Sequence, residues 1–115
     1  MILIAEDQLI TALELKQILN RNGYSESRIF TKGSEAIEFL AGCDLLFALL
    51  DIKLADDVSG LEVAKRLKKK NTPFIFISAF SDPENLRRAE ELDPAGIITK
   101  PFDETELGLL IQKID

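Results

Sequence analysis

Five side chains stand out as able to do chemistry together: Glu6, Asp7, Asp51, Ser78 and Lys100. They are far apart in the chain, yet each sits at or just after the end of a short apolar run. Glu6 and Asp7 follow Ile2 to Ala5, Asp51 follows Leu45 to Leu50, Ser78 follows Phe74 to Ile77, and Thr99 and Lys100 follow Ala95 to Ile98. Three carboxylates brought together repel one another unless a cation neutralises them. A cluster of oxygens without His or Cys suits Mg2+, which prefers carboxylates and keeps several waters. A hydroxyl and an ammonium beside a metal-bound carboxylate form an arrangement for binding a phosphoryl group. Each residue also has a plain structural explanation. Glu6 reads alone as a solvated acid, Asp7 as the N-cap of the first helix, Asp51 as a turn residue, Ser78 as a capping hydroxyl and Lys100 as a surface lysine. Asp51 is the hardest to explain that way, because it directly follows six apolar residues.

The elements that must position these groups alternate along the chain. Ile2 to Ala5 reads as a buried strand and Gln8 to Asn22 as an amphipathic helix with Leu9, Ala12, Leu13, Leu15 and Leu19 on one stripe, ended by Gly23. Arg28 to Thr31 is a weak second strand, and Ser34 to Leu40 a short helix with Ala36, Ile37 and Leu40 inward. Leu45 to Leu50 is the strongest strand signal. Gly60 to Lys70 is helical, with Leu61, Ala64 and Leu67 on its apolar stripe. Pro73 opens the strand Phe74 to Ile77, and Pro83 suits the first turn of a helix carrying Leu86, Ala89 and Leu92. Ala95 to Ile98 is the last strand, and Asp103 caps a final helix with Leu107, Leu110, Ile111 and Ile114. Five strands alternate with five helices, and continuous apolar strands between amphipathic helices predict a parallel sheet covered on both faces, a three-layer α/β/α sandwich. In such a sheet ligands bind beyond the carboxyl ends of the strands, where these five side chains lie.

Composition narrows the function further. The 115 residues suffice for one domain, read here as 1–115, and 46% hydrophobic content is too high for a disordered chain. Fourteen Lys and Arg against 20 Asp and Glu give a net charge of −6, which disfavours direct nucleic-acid binding. The basic run Lys65 to Lys70 reads as the solvated end of a helix. A single cysteine, Cys43, allows no internal disulfide and fits a reducing compartment. Histidine is absent, which removes the commonest general base and any phosphohistidine role. The N-terminal apolar run is too short for a signal peptide or a membrane span, so the expected location is cytoplasmic.

The sequence resembles a response-regulator receiver domain of two-component signalling, chemotaxis-regulator-like, over essentially its whole length. The resemblance rests on Glu6-Asp7, on Asp51 after Leu-Phe-Ala-Leu-Leu, on Ser78-Ala79 and on Lys100-Pro101-Phe102. Each motif alone is weak; their order at the ends of successive strands is specific. The resemblance implies a flavodoxin-like, doubly wound fold. It implies that Asp51 takes a phosphoryl group from the phosphohistidine of a histidine kinase or phosphotransfer protein. Mg2+ would be bound by Asp7, Asp51 and the backbone carbonyl of Lys53, with Glu6 acting through metal-bound water. Ser78 and Lys100 would hold the phosphoryl oxygens, and the Lys100-Pro101 bond is expected to be cis. Output would pass through the last two helices and the strand between them to a downstream protein or fused effector. Arg87, Arg88 and Glu90 would be available to pair across a homodimer. The chemistry is limited to self-phosphorylation and autodephosphorylation, without turnover of a substrate.

The chain departs from the family pattern in three places. Gly60 lies one residue further from Asp51 than is usual, Ala55 replaces the customary proline, and the lengthened loop carries Asp56 and Asp57, expected to face water. Ile97 stands where an aromatic residue usually rotates on activation. Lys53 and Phe80 occupy two variable positions that tune phosphoryl lifetime in the family. Two other functions are compatible with parts of this pattern. A Mg2+-dependent aspartyl-phosphate phosphohydrolase would need a second acid where Lys53 stands, and a cap domain. A phosphate-independent pseudo-receiver would not need Asp7, Asp51, Ser78 and Lys100 together.

Overall fold

The computed structural model describes residues 1–114. The elements run β1 (Ile2–Ala5), α1 (Leu9–Arg21), β2 (Ser27–Phe30), α2 (Gly33–Ala41), β3 (Phe47–Leu50), α3 (Gly60–Lys69), β4 (Phe74–Ser78), α4 (Pro83–Glu91), β5 (Gly96–Thr99) and α5 (Glu104–Ile114). The strands form one parallel sheet in the order β2-β1-β3-β4-β5. This is the doubly wound α/β/α sandwich that the alternation predicts. The chain leaves β1 for β2 on one side and returns to β3 on the other, so the strand order reverses between β1 and β3. A crevice opens there at the carboxyl edge.

Alternation along each strand divides the core between the two helical layers. Leu3, Ala5, Ala48, Leu50, Phe74 and Phe76 pack with α2, α3 and Ala89 of α4. Ile2, Ile4, Phe47, Leu49, Ile75, Ile77 and Ile98 pack with α1 and α5. Each fully buried Leu, Ile or Phe stabilises the fold by roughly 1.5–3 kcal/mol. Runs that are apolar at every position are therefore what a sheet covered on both faces requires.

Three local expectations change. The inward face of α1 is Ala12, Leu15, Ile18 and Leu19, whereas Leu9 is 58% and Leu13 47% exposed. Helical geometry turns Leu13 away from the face that holds Leu15 and Leu19, and Ile18 takes the inward position. β3 begins at Phe47, with Leu46 still 56% exposed. The basic run is not simply solvated. Lys70 Nζ donates to the Leu40 carbonyl at 2.5 Å and the Cys43 carbonyl at 2.9 Å, and Lys68 Nζ to the Leu92 carbonyl at 3.1 Å. The end of α3 thus satisfies carbonyls at the ends of both neighbouring helices.

Candidate functional site

Backbone hydrogen bonds carry the sheet ladder just past the strands and so align the chemical groups. Asp51 N donates to the Ala5 carbonyl at 2.8 Å, Glu6 N to the Phe30 carbonyl at 3.0 Å, and Lys100 N to the Ser78 carbonyl at 2.8 Å. Glu6, Asp7, Asp51, Ser78 and Lys100 consequently meet at one edge. Glu6, Asp7 and Asp51 each offer a carboxylate oxygen, all within 4.8 Å of one another. Asp7 does not cap α1: the N-cap is Gln8, whose side chain makes no capping hydrogen bond. Nor is Glu6 a solvated strand-end acid, because it is 1% exposed.

Asp51 is held on both carboxylate oxygens. Its Oδ1 accepts from Ser78 Oγ at 2.7 Å and from Ile52 N at 2.6 Å. Its Oδ2 accepts from Lys100 Nζ at 2.7 Å, and the same ammonium donates to Glu6 Oε1 at 2.7 Å. The Lys100-Pro101 peptide that carries this lysine to the site is cis, as expected. Burial pushes the Glu6 carboxyl up to about 8; neighbouring Asp51 adds to the rise and Lys100 only partly offsets it. Burial also opposes the Asp51 charge, but hydrogen bonds from Glu6, Lys100 and Ser78 outweigh it and hold this carboxyl below its ordinary range. The two acids are thus driven apart, Glu6 upward and Asp51 downward. For Lys100, burial pulls downward but its hydrogen bonds to Asp51 and Glu6 win, and the ammonium is held above its usual value.

An open cleft of about 320 Å³ lies over Asp51, lined among others by Asp7, Lys53, Ser78, Phe80 and Lys100. Gln8 and Asn85 line it too. Nothing in the spacing of these two amides marks them in the sequence. Lys53 is exposed. Phe80 has a left-handed backbone, φ 50°, and is half-buried; it borders the cleft and also packs against the α2–α3 side of the core. Ile97 is not a cleft residue. It pairs in register with Phe76 and packs on that same side of the core.

The lengthened loop between β3 and α3 behaves differently from expectation at Asp56. Its carboxylate does not simply face water but accepts hydrogen bonds from Gly33 N at 2.8 Å, Ser34 N at 3.1 Å and Ser34 Oγ at 2.5 Å. It therefore caps α2 from another segment of the chain. Asp57 is exposed, as expected.

Residues 2–112 match the sequence profile of the response regulator receiver domain. The chain belongs to the response-regulator receiver family. This receiver is 33% identical over 115 residues to the transcriptional regulatory protein CrdR of Helicobacter pylori, covering 97% of this chain and 53% of CrdR. It is 32% identical over 115 residues to the sensory transduction protein LytR of Staphylococcus saprophyticus, covering 98% of this chain and 44% of LytR. It thus spans about half the length of these curated relatives. Among solved structures, it matches the signal receiver domain of a modulated diguanylate cyclase from Desulfovibrio desulfuricans with a TM-score of 0.89 and 33% identity. That match covers 98% of this chain and 90% of the other. No helix among the described residues is long and apolar enough to cross a membrane.

Proposed function

We propose that this receiver takes a phosphoryl group onto Asp51 from the phosphohistidine of a histidine kinase or phosphotransfer protein, and then alters a protein contact. The observation that carries this reading is the Asp51 carboxylate at the tip of β3, met by Ser78 Oγ and Lys100 Nζ at 2.7 Å each. A charged Asp51 is the nucleophilic form. An Asp51 oxygen bonds to phosphorus as the bond from phosphorus to the donor nitrogen breaks, and the imidazole leaves. Ser78 and Lys100, which now donate to Asp51, would hand their hydrogen bonds to phosphoryl oxygens and stabilise the charge that develops there.

The donor set fits a hard divalent cation, because Glu6, Asp7 and Asp51 offer only oxygens. Asp7 and Asp51, with the Lys53 carbonyl, would hold Mg2+ directly, and Glu6 through water. When bound, Mg2+ would neutralise the clustered carboxylates and shield the incoming phosphate. Lys53 Nζ is a donor only and cannot act as a general acid–base carboxylate, which disfavours a phosphohydrolase. Intact Asp7, Asp51, Ser78 and Lys100 disfavour a pseudo-receiver. The domain would act as a phosphoacceptor limited to self-phosphorylation and autodephosphorylation.

Output is assigned to α4, β5 and α5, whose roots carry Ser78 and Lys100, and to a downstream protein or fused effector. Arg87 is already paired within α4, with Glu84 and Glu91, so a homodimer would have to rearrange those pairs or use Arg88 and Glu90. The chemistry is of a kind that suits the cytoplasm, where phosphohistidine donors are made. Incubation with acetyl phosphate and Mg2+ should add one phosphoryl group, read by intact mass. Uptake that persists in Asp51→Asn would overturn the assignment.

A further inference from the structure

The β3–α3 loop is tied to the rest of the fold in a way that the acceptor chemistry itself does not require. After Asp51, the Ile52 carbonyl accepts from Gly60 N at 2.7 Å, and the Ile52 and Leu54 side chains are buried in the core. Ala55 N donates to the Thr31 carbonyl at 2.8 Å, at the end of β2. Asp56 then bonds Gly33 and Ser34 at the start of α2, and its Oδ1 also accepts from its own loop, from Val58 N at 3.3 Å. Two glycines permit this closeness. A Cβ on Gly60 would lie 1.9 Å from the Asp51 carbonyl oxygen, and one on Gly33 would lie 2.1 Å from that of Val58. The segment that carries Lys53 is therefore pinned on both sides. Ile52 anchors it before, and Ala55 and Asp56 anchor it after.

We infer that Asp56 is a positioning residue for the acceptor site: by clamping the β3–α3 loop onto the start of α2, it holds the Lys53 backbone in place beside Asp51. Asp56 touches none of the reacting groups and acts only through the loop. The part of this inference that concerns metal and phosphoryl uptake rests on the receiver reading above. The restraint itself does not. Asp56 is the fifth residue after Asp51, in the loop that is one residue longer than the family pattern implies, and it stands next to Ala55, where that pattern has proline. A hydrogen-bonded clamp thus does the stiffening that a proline ring would otherwise supply. The Asp56 hydrogen bonds from Ser34, Gly33 and Val58 also hold its carboxyl down at about 2, so the clamp stays charged at any neutral pH.

The test compares Asp56→Ala with Asp57→Ala, which removes the same charge one residue away from an exposed position. Hydrogen exchange on the metal-free proteins should show faster exchange of the amides of residues 53–58 in Asp56→Ala alone. Mg2+ titration and acetyl phosphate labelling should show affinity and rate lowered roughly ten-fold in Asp56→Ala, the scale on which supporting groups act on a metal site. Asp57→Ala should stay within about two-fold of wild type by the same scale. If Asp56→Ala fails to fold, Ser34→Ala removes one of the clamp's bonds and should show a smaller loss in the same direction. Unchanged exchange at residues 53–58, or a lowered melting temperature with wild-type Mg2+ affinity and labelling, would overturn the inference. Wild-type protein that takes up neither Mg2+ nor phosphate would instead overturn the receiver reading, and the exchange result would still decide whether Asp56 restrains the loop.

Discussion

Residues 52–59 approach Asp51 from one side and residues 79–82 from the other, and the two loops are tied in opposite ways. The first is fixed by backbone bonds to Thr31 and between Ile52 and Gly60, by buried Ile52 and Leu54, and by the Asp56 clamp on α2. The second has one side-chain hydrogen bond among the described residues, from Glu84 N to Asp82 at 3.0 Å, which only caps its own helix α4. It also holds Phe80 with φ 50°, a backbone region that costs a bulky residue about 1 kcal/mol or more. Asp51 therefore has one braced wall and one compliant wall. Loops with few cross-ties open most readily, and they supply the parts that move in switches. Ser78, which bonds Asp51, leads directly into the compliant wall. A phosphoryl group that drew Ser78 towards itself would meet little resistance from that side, while the loop that carries Lys53 stayed in register.

The largest expected contrast lies at the braced wall. Gly60→Ala forces a methyl into the Asp51 backbone, 1.9 Å from its carbonyl oxygen, and should cost roughly 3 kcal/mol in urea unfolding. Gly42→Ala is the matched control, with φ −111° and nothing within 4 Å of the added carbon. It should lie between no effect and a gain of about 0.5 kcal/mol. Equal effects at the two glycines would mean that the brace is not rigid.

A second contrast is electrostatic and sets Glu6 against Asp56. The Glu6 carboxyl is raised by burial from its ordinary 4.5 to about 8. The folded state then holds this proton more tightly than the unfolded chain. Its contribution is fully present below 4.5 and is lost as pH rises towards 8. Asp56 is lowered from 3.8 to about 2 by its Ser34 bonds, so its contribution is present above 3.8 and is lost as pH falls towards 2. Metal-free protein should therefore lose stability between pH 5 and 8, and Glu6→Gln should flatten that slope. Mg2+ at about a hundred times its Kd should restore about 2.7 kcal/mol at neutral pH. A melting temperature independent of Mg2+, or a pH slope that survives Glu6→Gln, would break this part of the comparison.

The smallest effect is expected in the lifetime of the phosphorylated state. Lys53 and Phe80, one from each wall, both line the cleft. Neither accepts a proton from an incoming water. Phosphoryl loss should be slow, and Phe80→Glu or Lys53→Asn should speed it by roughly ten-fold, less than the roughly hundred-fold or more that a well-placed general base contributes. Decay is followed by intact mass after the donor is removed. Rapid wild-type decay, or no acceleration in either variant, would show that these side chains do not control the water.

Much of the fold and the site was legible in the linear sequence, for a physical reason. A strand buried on both faces must be apolar along its length, so β1, β3 and β4 show themselves and the first polar residue marks each end, whereas the edge strand β2 carries Ser27 and Arg28 and shows only weakly. That rule finds Glu6, Asp51 and Ser78 together with the sheet that gathers them, whereas Lys100 comes one residue after Thr99, the first polar residue past Ile98. Helix faces were less secure, because a hydrophobic residue at the flank of a stripe scores like one at its centre. Leu9 and Leu13 were misjudged in this way, and the packed helix turns Ile18 inward beside Leu15 and Leu19 instead. Tertiary structure alone decided the bonds between residues distant in the chain. Lys100 joins Glu6 to Asp51 across 94 and 49 positions, and Asp56 reaches back 23 and 22 positions to Gly33 and Ser34. No local pattern encodes such pairs. A carboxylate in a loop reads the same whether it meets water or a helix start, and its partner is chosen only when the strands align and bring the loops side by side.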